Sequence, residues 1–377
     1  MATRKTAAAA PTPARATPRR ASRPAVRAAA QRHQLIDLAL QGGGSHGAFT
    51  WGVLDRLLED ETLEISGISG TSAGAMNAVA LAAGLMEGGR EGARACLRRF
   101  WEKVAETSPF THLETGPLGQ WVGADNPLLQ QFTSTWQQAV RFVGSQFSPY
   151  QLNPLNLNPL RDILDQTVDF ERVRACHRTQ LFIAATHVAT GELRVFRQNE
   201  LTADMVLASA CLPLLFQAVE IDGEAYWDGG YAGNPTLLPL IAETPADDLL
   251  LVQINPSRRE AVPTQASEIL DRASEVTFNA SLLKELRTIG LLKELLQEAG
   301  RPDSTYRRPL FQRVDDLRLH RLDAEVQLAQ FGATSKTQTD WAFLSQLHDI
   351  GRAATDAWLR TNRQHLGQHS TFQLPPA

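Results

Sequence analysis

Three groups of residues have the types and spacing that chemistry needs. Gly42, Gly43 and Gly44 stand side by side, and with Gly47 they spell G-x-G-x-x-G. Gly70, Ser72 and Gly74 spell G-x-S-x-G. Asp228 is followed directly by Gly229 and Gly230, and shortly afterwards by Asn234-Pro235. Each glycine costs more backbone entropy than any other residue, so a triplet implies a left-handed turn or a very close neighbour. A serine between glycines, directly after an apolar strand and before a helix, has the context of a nucleophile elbow. The elbow exposes the hydroxyl at the carboxyl end of the strand, and the helix N-terminus faces a developing oxyanion. If the strands entering the two glycine turns are parallel neighbours, the N–H groups of Gly43 and Gly44 point at that oxyanion. Loss of one such donor typically costs about 2.7–4 kcal/mol of transition-state stabilisation.

A serine is a poor nucleophile until a base takes its proton. Among nine histidines, the chain order Ser…Asp…His would recruit His320, His348, His365 or His369. Nothing marks any of them, and a packed or solvated side chain is the better reading of each. Asp228 has the stronger context, although Asp-Gly-Gly alone is an ordinary turn signature. G-x-G-x-x-G also admits a dinucleotide-binding reading, which requires an acidic residue ending a second strand about 20 residues on. That strand instead runs into Gly70-Thr71-Ser72, and Asp60 and Glu61 fall in the link before it. The alternatives left open are a Ser-His-Asp esterase of another class and a non-catalytic lipid- or nucleotide-binding module.

The elements that must position these residues read as parallel α/β. "LIDLAL" (35–40) and "LEISGISG" (63–70) are buried strands, and 48–60 and 73–86 are helices. Residues 180–196 read as two strands joined at "ATGE", 202–216 as a helix stopped by Pro213, 217–231 as a hairpin, and 248–256 as a buried strand. His320 sits in a strand-like stretch; 280–300 and 341–363 are amphipathic helices. The segment of about 100–160 is a helical insertion. Its aromatics and leucines line an acyl channel or lid, or fill ordinary core, with core preferred for any one aromatic.

The chain has 377 residues, 43% of them hydrophobic, and a net charge of −4, so no global basic field points to nucleic acid. Residues 1–32 carry eight Lys/Arg, no acid and no aromatic, which leaves 29 basic against 41 acidic residues elsewhere. Residues 1–33 therefore read as a disordered Ala/Pro/Arg-rich tail. It has no apolar h-region of a secretory signal; a solvated tail is preferred to a transit peptide or an anionic-membrane patch. Three scattered cysteines argue against a disulfide framework or zinc site and for a reducing compartment. No apolar run reaches about 18 residues. The expected location is cytoplasmic, either free or peripheral at the inner membrane surface.

The three motifs in this order resemble the patatin-like phospholipase family of serine lipid acyl hydrolases. "SACLPLLF" (209–216) is similar to the family's A-S-x-A-x-P-x-x-F helix end, and "GGYAGNP" (229–235) follows the acid. The resemblance covers roughly residues 35–256. It implies a three-layer α/β/α fold with a mostly parallel central sheet, its catalytic domain spanning 34–256. The remainder, 257–377, is expected to be mainly helical and to pack on the same domain. The resemblance also implies a Ser-Asp dyad without histidine, with Ser72 as nucleophile and Asp228 as general base. Gly42, Gly43 and Gly44 form the oxyanion hole, supported by Gly47, Gly70, Gly74, Gly229 and Gly230. The substrate is a lipid or other acyl ester, with no cofactor and no metal. An ordinary Asp, with a pKa of about 3.9, is a weak base, so burial must raise it. Two positions depart from the pattern: Gln41 precedes the glycines where many members carry Asp, and His46 follows where many carry Arg or Lys. His46 reads as a buttress of the loop rather than a catalytic group.

Overall fold

In the computed structural model, Met1 and residues 33–107, 148–259, 261–298 and 309–374 are described. The basic tail and most of the expected insertion lie outside them. The order is β1 (Gln34–Leu40), α1 (Gly47–Leu57), β2 (Leu63–Thr71), α2 (Ala73–Glu106), β3 (Gln180–His187), β4 (Leu193–Arg197), β5 (Val219–Ile221), β6 (Glu224–Asp228), β7 (Asp248–Gln253) and β8 (Arg318–Asp323), with further helices described by their residues. β1, β2, β3, β7 and β8 pair in parallel, while β4, β5 and β6 join antiparallel.

Strands buried on both faces read as continuous apolar runs. "LLLV" (249–252) shows how the faces divide. Leu250 and Val252 enter one core with Leu38 and Leu40; Leu249 and Leu251 enter a second core with Ala39. Alternation along a strand sends successive side chains to opposite faces. The first core is roofed by α1, α2 and the helix Trp341–Asn362, through Leu54, Val79, Leu344 and Leu347. The second is roofed by the helices Leu238–Glu243 and Ala266–Glu298, through Leu240, Leu282 and Leu286. The fold is a three-layer α/β/α arrangement.

Two elements differ from the sequence reading. The helix expected over 202–216 runs only from Ala203 to Ser209. Pro213 disfavours helical backbone at the residue before it, and the Cys211 carbonyl is taken by the Asp228 N–H at 2.8 Å. The expected helix 73–86 continues to Glu106 across a break at Gly88–Gly89; within it, Phe100 and Trp101 are buried core. The strand-like stretch around His320 forms β8, which extends the central sheet beside β7.

Candidate active site

Backbone register alone brings the serine and the acid together. β1 and β2 pair up to Leu40 opposite Gly70, so the glycine loop and the elbow leave the same sheet edge. On β3, Ala184 faces Thr71 while the next residue, Ala185, faces Asp228. β4 occupies the other side of β3 at both positions. β6 therefore takes over the flank of β3 at the level where β2 stops, and Asp228 succeeds Ser72 along that flank.

Ser72 lies between β2 and α2 with φ 54 and ψ −121. Left-handed φ is uncommon for a residue with a Cβ, and such strain persists only where the surroundings enforce it. Here they do. The Ser72 N–H donates to Ser209 Oγ at 2.9 Å, and Thr71 Oγ1 donates to the Gly233 carbonyl at 2.7 Å. Gly74 packs directly on the Leu40 carbonyl, leaving no space for a side chain.

Asp228 is fully buried. Burial pushes its carboxyl up to about 7, against the opposing effects of the Gly230 N–H and the Ser72 hydroxyl. The Gly230 N–H donates to Oδ1 at 2.7 Å, and Thr186 Oγ1 donates to the Asp228 carbonyl at 2.8 Å. The Ser72 hydroxyl is near enough to ease the charge, yet among the described residues no donor reaches Oδ2 in hydrogen-bond geometry. Catalytic hydrogen bonds are often this loose before substrate binds. A desolvated carboxyl group with one oxygen lacking a donor among the described residues, and a serine hydroxyl close enough to act on its charge, is an arrangement able to accept a proton.

The glycine loop required one correction. Gly42 cannot be a free donor, because its N–H is committed to Asn234 Oδ1 at 2.7 Å. It is glycine for another reason: a Cβ there would lie 2.7 Å from both the Ser72 Cβ and the Thr71 carbonyl oxygen. Gly44 has φ +58 and sits directly beneath the Lys336 carbonyl. Among the described residues, the N–H groups of Gly43 and Gly44 meet no acceptor. A Cβ on Gly47 would lie 2.5 Å from that of Ala73, so contact with the elbow accounts for Gly42 and Gly47, and the left-handed turn beneath Lys336 for Gly44, without a nucleotide.

Gln41 anchors the loop from below. Its Oε1 accepts from the N–H groups of Ile254 and Asn255 at 2.9 and 2.8 Å, and its Nε2 donates to Asn279 Oδ1 at 2.8 Å. Asn255 Nδ2 donates to the Gly42 carbonyl at 2.9 Å, and Lys336 Nζ donates to Asn255 Oδ1 at 2.6 Å. His46 is packed between Phe331 and Phe343, with Nε2 2.7 Å from Ser335 Oγ. Burial, aided by Lys336, pushes its pKa down to about 3, so the ring is neutral. This is the environment of a buttress.

The four C-terminal histidines are occupied away from the elbow. His320 is buried, with Nε2 3.0 Å from Asp248 Oδ1 and Nδ1 2.9 Å from Thr371 Oγ1. Asp248 opens β7 and so marks the amino end of the parallel strands, opposite Ser72. The His348 ring lies 4.0 Å from that of Trp51, and the His365 and His369 rings lie 4.4 Å apart. Sequence reasoning missed Ser209 and Asn234 as supports, although both fall in the stretches that carried the family resemblance. Among the described residues no group of three or more His, Cys, Asp or Glu could hold a metal ion.

Fold and site together define an α/β protein with an elbow serine, a glycine loop and a buried acid on one sheet edge. A family model described as patatin-like phospholipase matches residues 38–241, more than half of the chain. The chain belongs to that family, a class of lipid ester hydrolases. Two solved structures are similar at 15% identity. VipD from Legionella pneumophila matches over 88% of this chain and 67% of its own, with a TM-score of 0.39. A complex of full-length SpcU with full-length ExoU, from the type III secretion system of Pseudomonas aeruginosa, matches over 89% and 63%, with a TM-score of 0.28. The chain thus spans less than two thirds of the second of these. No curated protein matches the sequence. No described helix is long and apolar enough to cross a membrane.

Proposed function

We propose that this protein hydrolyses carboxylic ester bonds of lipids through an acyl-enzyme on Ser72, with Asp228 as the base. The observation that carries the reading is the fully buried Asp228 carboxyl, raised to about 7, with the Ser72 hydroxyl acting on it and no donor to Oδ2 among the described residues. Ser72 Oγ attacks the ester carbonyl and its proton passes to Asp228. The carbonyl oxygen becomes an oxyanion facing the N–H groups of Gly43 and Gly44 and the N-terminus of α2. As the tetrahedral intermediate collapses, the leaving alkoxide takes the proton from Asp228. Water then attacks the acyl-serine, giving a proton to the same carboxylate, and Ser72 recovers it as the fatty acid departs. Gly42 shapes the loop rather than donating, and Gly47, Gly70, Gly74, Gly229 and Gly230 allow the close packing. No step requires a metal, so EDTA should leave turnover unchanged.

Because only the ionised carboxylate is a base, kcat/KM should rise about tenfold per pH unit below about 7 and level off above it. The decisive test is labelling by a fluorophosphonate probe with wild type, Ser72→Ala and Asp228→Asn. Ser72-dependent labelling together with hydrolysis of acyl esters supports the reading. Absence of both in folded wild-type protein sinks it and returns the chain to the binding-module alternative.

A further inference from the structure

Two stretches beside the candidate site carry no charged residue at all: 148–160 and 205–219. In a chain that is 21% charged, this is a local exception. Hydrogen bonds join them into one surface. Gln217 Nε2 donates to the Asn153 carbonyl at 2.7 Å, and the Ala218 N–H donates to the Tyr150 hydroxyl at 3.2 Å. The same surface is wired to the catalytic pair. Ser209 holds the Ser72 N–H, the Cys211 carbonyl accepts the Asp228 N–H, and Cys211 Sγ contacts the Gln217 carbonyl at 3.1 Å.

From this platform Tyr150, Leu152, Leu155, Leu157, Leu214 and Leu215 project, each 51–79% exposed. They are not loose. Asn153 closes a loop on Leu157 in both directions, donating from Nδ2 at 2.8 Å and accepting at Oδ1 at 2.9 Å, which holds Leu155 outward. A contiguous exposed apolar patch marks an interaction site rather than ordinary surface.

We propose that this surface docks the protein onto a lipid–water interface, with the leucines entering the acyl region while the site opens beside them. The proposal rests on the reading of the chain as a lipid hydrolase and specifies how its substrate is approached. The chemistry commits it further. A patch with no Lys or Arg gains nothing from anionic headgroups, so docking is apolar and insensitive to salt, in contrast to attraction through a polybasic segment.

The test is flotation of the full chain with vesicles of pure phosphatidylcholine, done on Ser72→Ala so that hydrolysis cannot alter the membrane. Binding is then read whether or not Ser72 is a nucleophile, which keeps a failure of docking distinct from a failure of the catalytic reading. The expected result is binding to these uncharged vesicles that is unchanged by high salt. The pairs Leu155→Asp/Leu157→Asp and Leu214→Asp/Leu215→Asp should each weaken it about tenfold or more. Val326→Asp, at a site 84% exposed elsewhere on the surface, should not. Thermal melting confirms that each variant is folded. Three outcomes would overturn the proposal: no binding, binding that needs anionic lipid and fades with salt, or a second copy of the chain covering the patch, seen as a dimer that the Leu→Asp pairs dissociate.

Discussion

Two buried aspartates at opposite ends of the central sheet, Asp248 and Asp228, sit in opposite electrostatic surroundings. At the amino end, burial alone would raise Asp248, but His320, Arg318 and the Gly367 N–H more than offset this and hold it below the ordinary carboxylate range. At the carboxyl end, Asp228 has one backbone donor and a serine hydroxyl, no cation offsets its burial, and it is pushed up to about 7. The first is a finished structural pair, with donors on both oxygens. The second is left unfinished on Oδ2. The His-Asp pair thus lies away from the proposed site, and the acid lacking a cation sits near the hydroxyl.

Four substitutions test this contrast, in order of decreasing effect. Ser72→Ala should lower kcat at least about 10⁴-fold on any accepted ester, with melting unchanged within error. Retained turnover would remove the carboxyl end from consideration. Asp228→Asn should lower kcat by about 10²–10⁴-fold and, separately, stabilise the fold. The sign follows from the raised pKa: this group's favourable contribution is complete below the unfolded value near 3.9 and is lost as pH rises through about 7. The variant should therefore melt higher than wild type at pH 8, by up to the order of 4 kcal/mol, with the difference vanishing toward pH 4.

Asn234→Ala should reduce kcat by about 10–100-fold through a misplaced glycine loop, with KM little changed. A pure KM effect would argue against a positioning role. His320→Asn, at the other end, should leave kcat/KM within about twofold while costing about 3–5 kcal/mol in chemical denaturation. For Asp248 the sign is reversed: its depressed pKa contributes stability above the unfolded value, which is lost as pH falls through the folded one. Wild type and the His320 variant should therefore diverge most near neutral pH with the variant the less stable, the opposite sign to Asp228→Asn.

Much of the carboxyl end was legible because its requirements are local. A serine elbow needs small neighbours within two residues, and Gly70 and Gly74 supply them. A strand-to-helix glycine turn is written in consecutive positions, 42–44. What was not legible depends on contacts across long stretches of chain. Nothing near Gly42 announces that its N–H is consumed by Asn234, 192 residues away. The support of Gln41 by Asn279 spans 238 residues, and His320 is neutralised as a catalytic candidate only by pairing with Asp248. The early end of the helix Ala203–Ser209 was half visible in Pro213; the other half is the claim that Asp228 makes on the Cys211 carbonyl.

The sequence by itself determined that a serine turn, a glycine turn and an acid turn would exist, because backbone conformation at each is set by nearest neighbours. Tertiary structure alone decided that they converge, through β6 continuing the flank of β3 where β2 ends. It also decided the chemistry of the acid. A carboxyl group has its ordinary pKa in any short peptide, and only exclusion of water by the surrounding layers raises it to about 7.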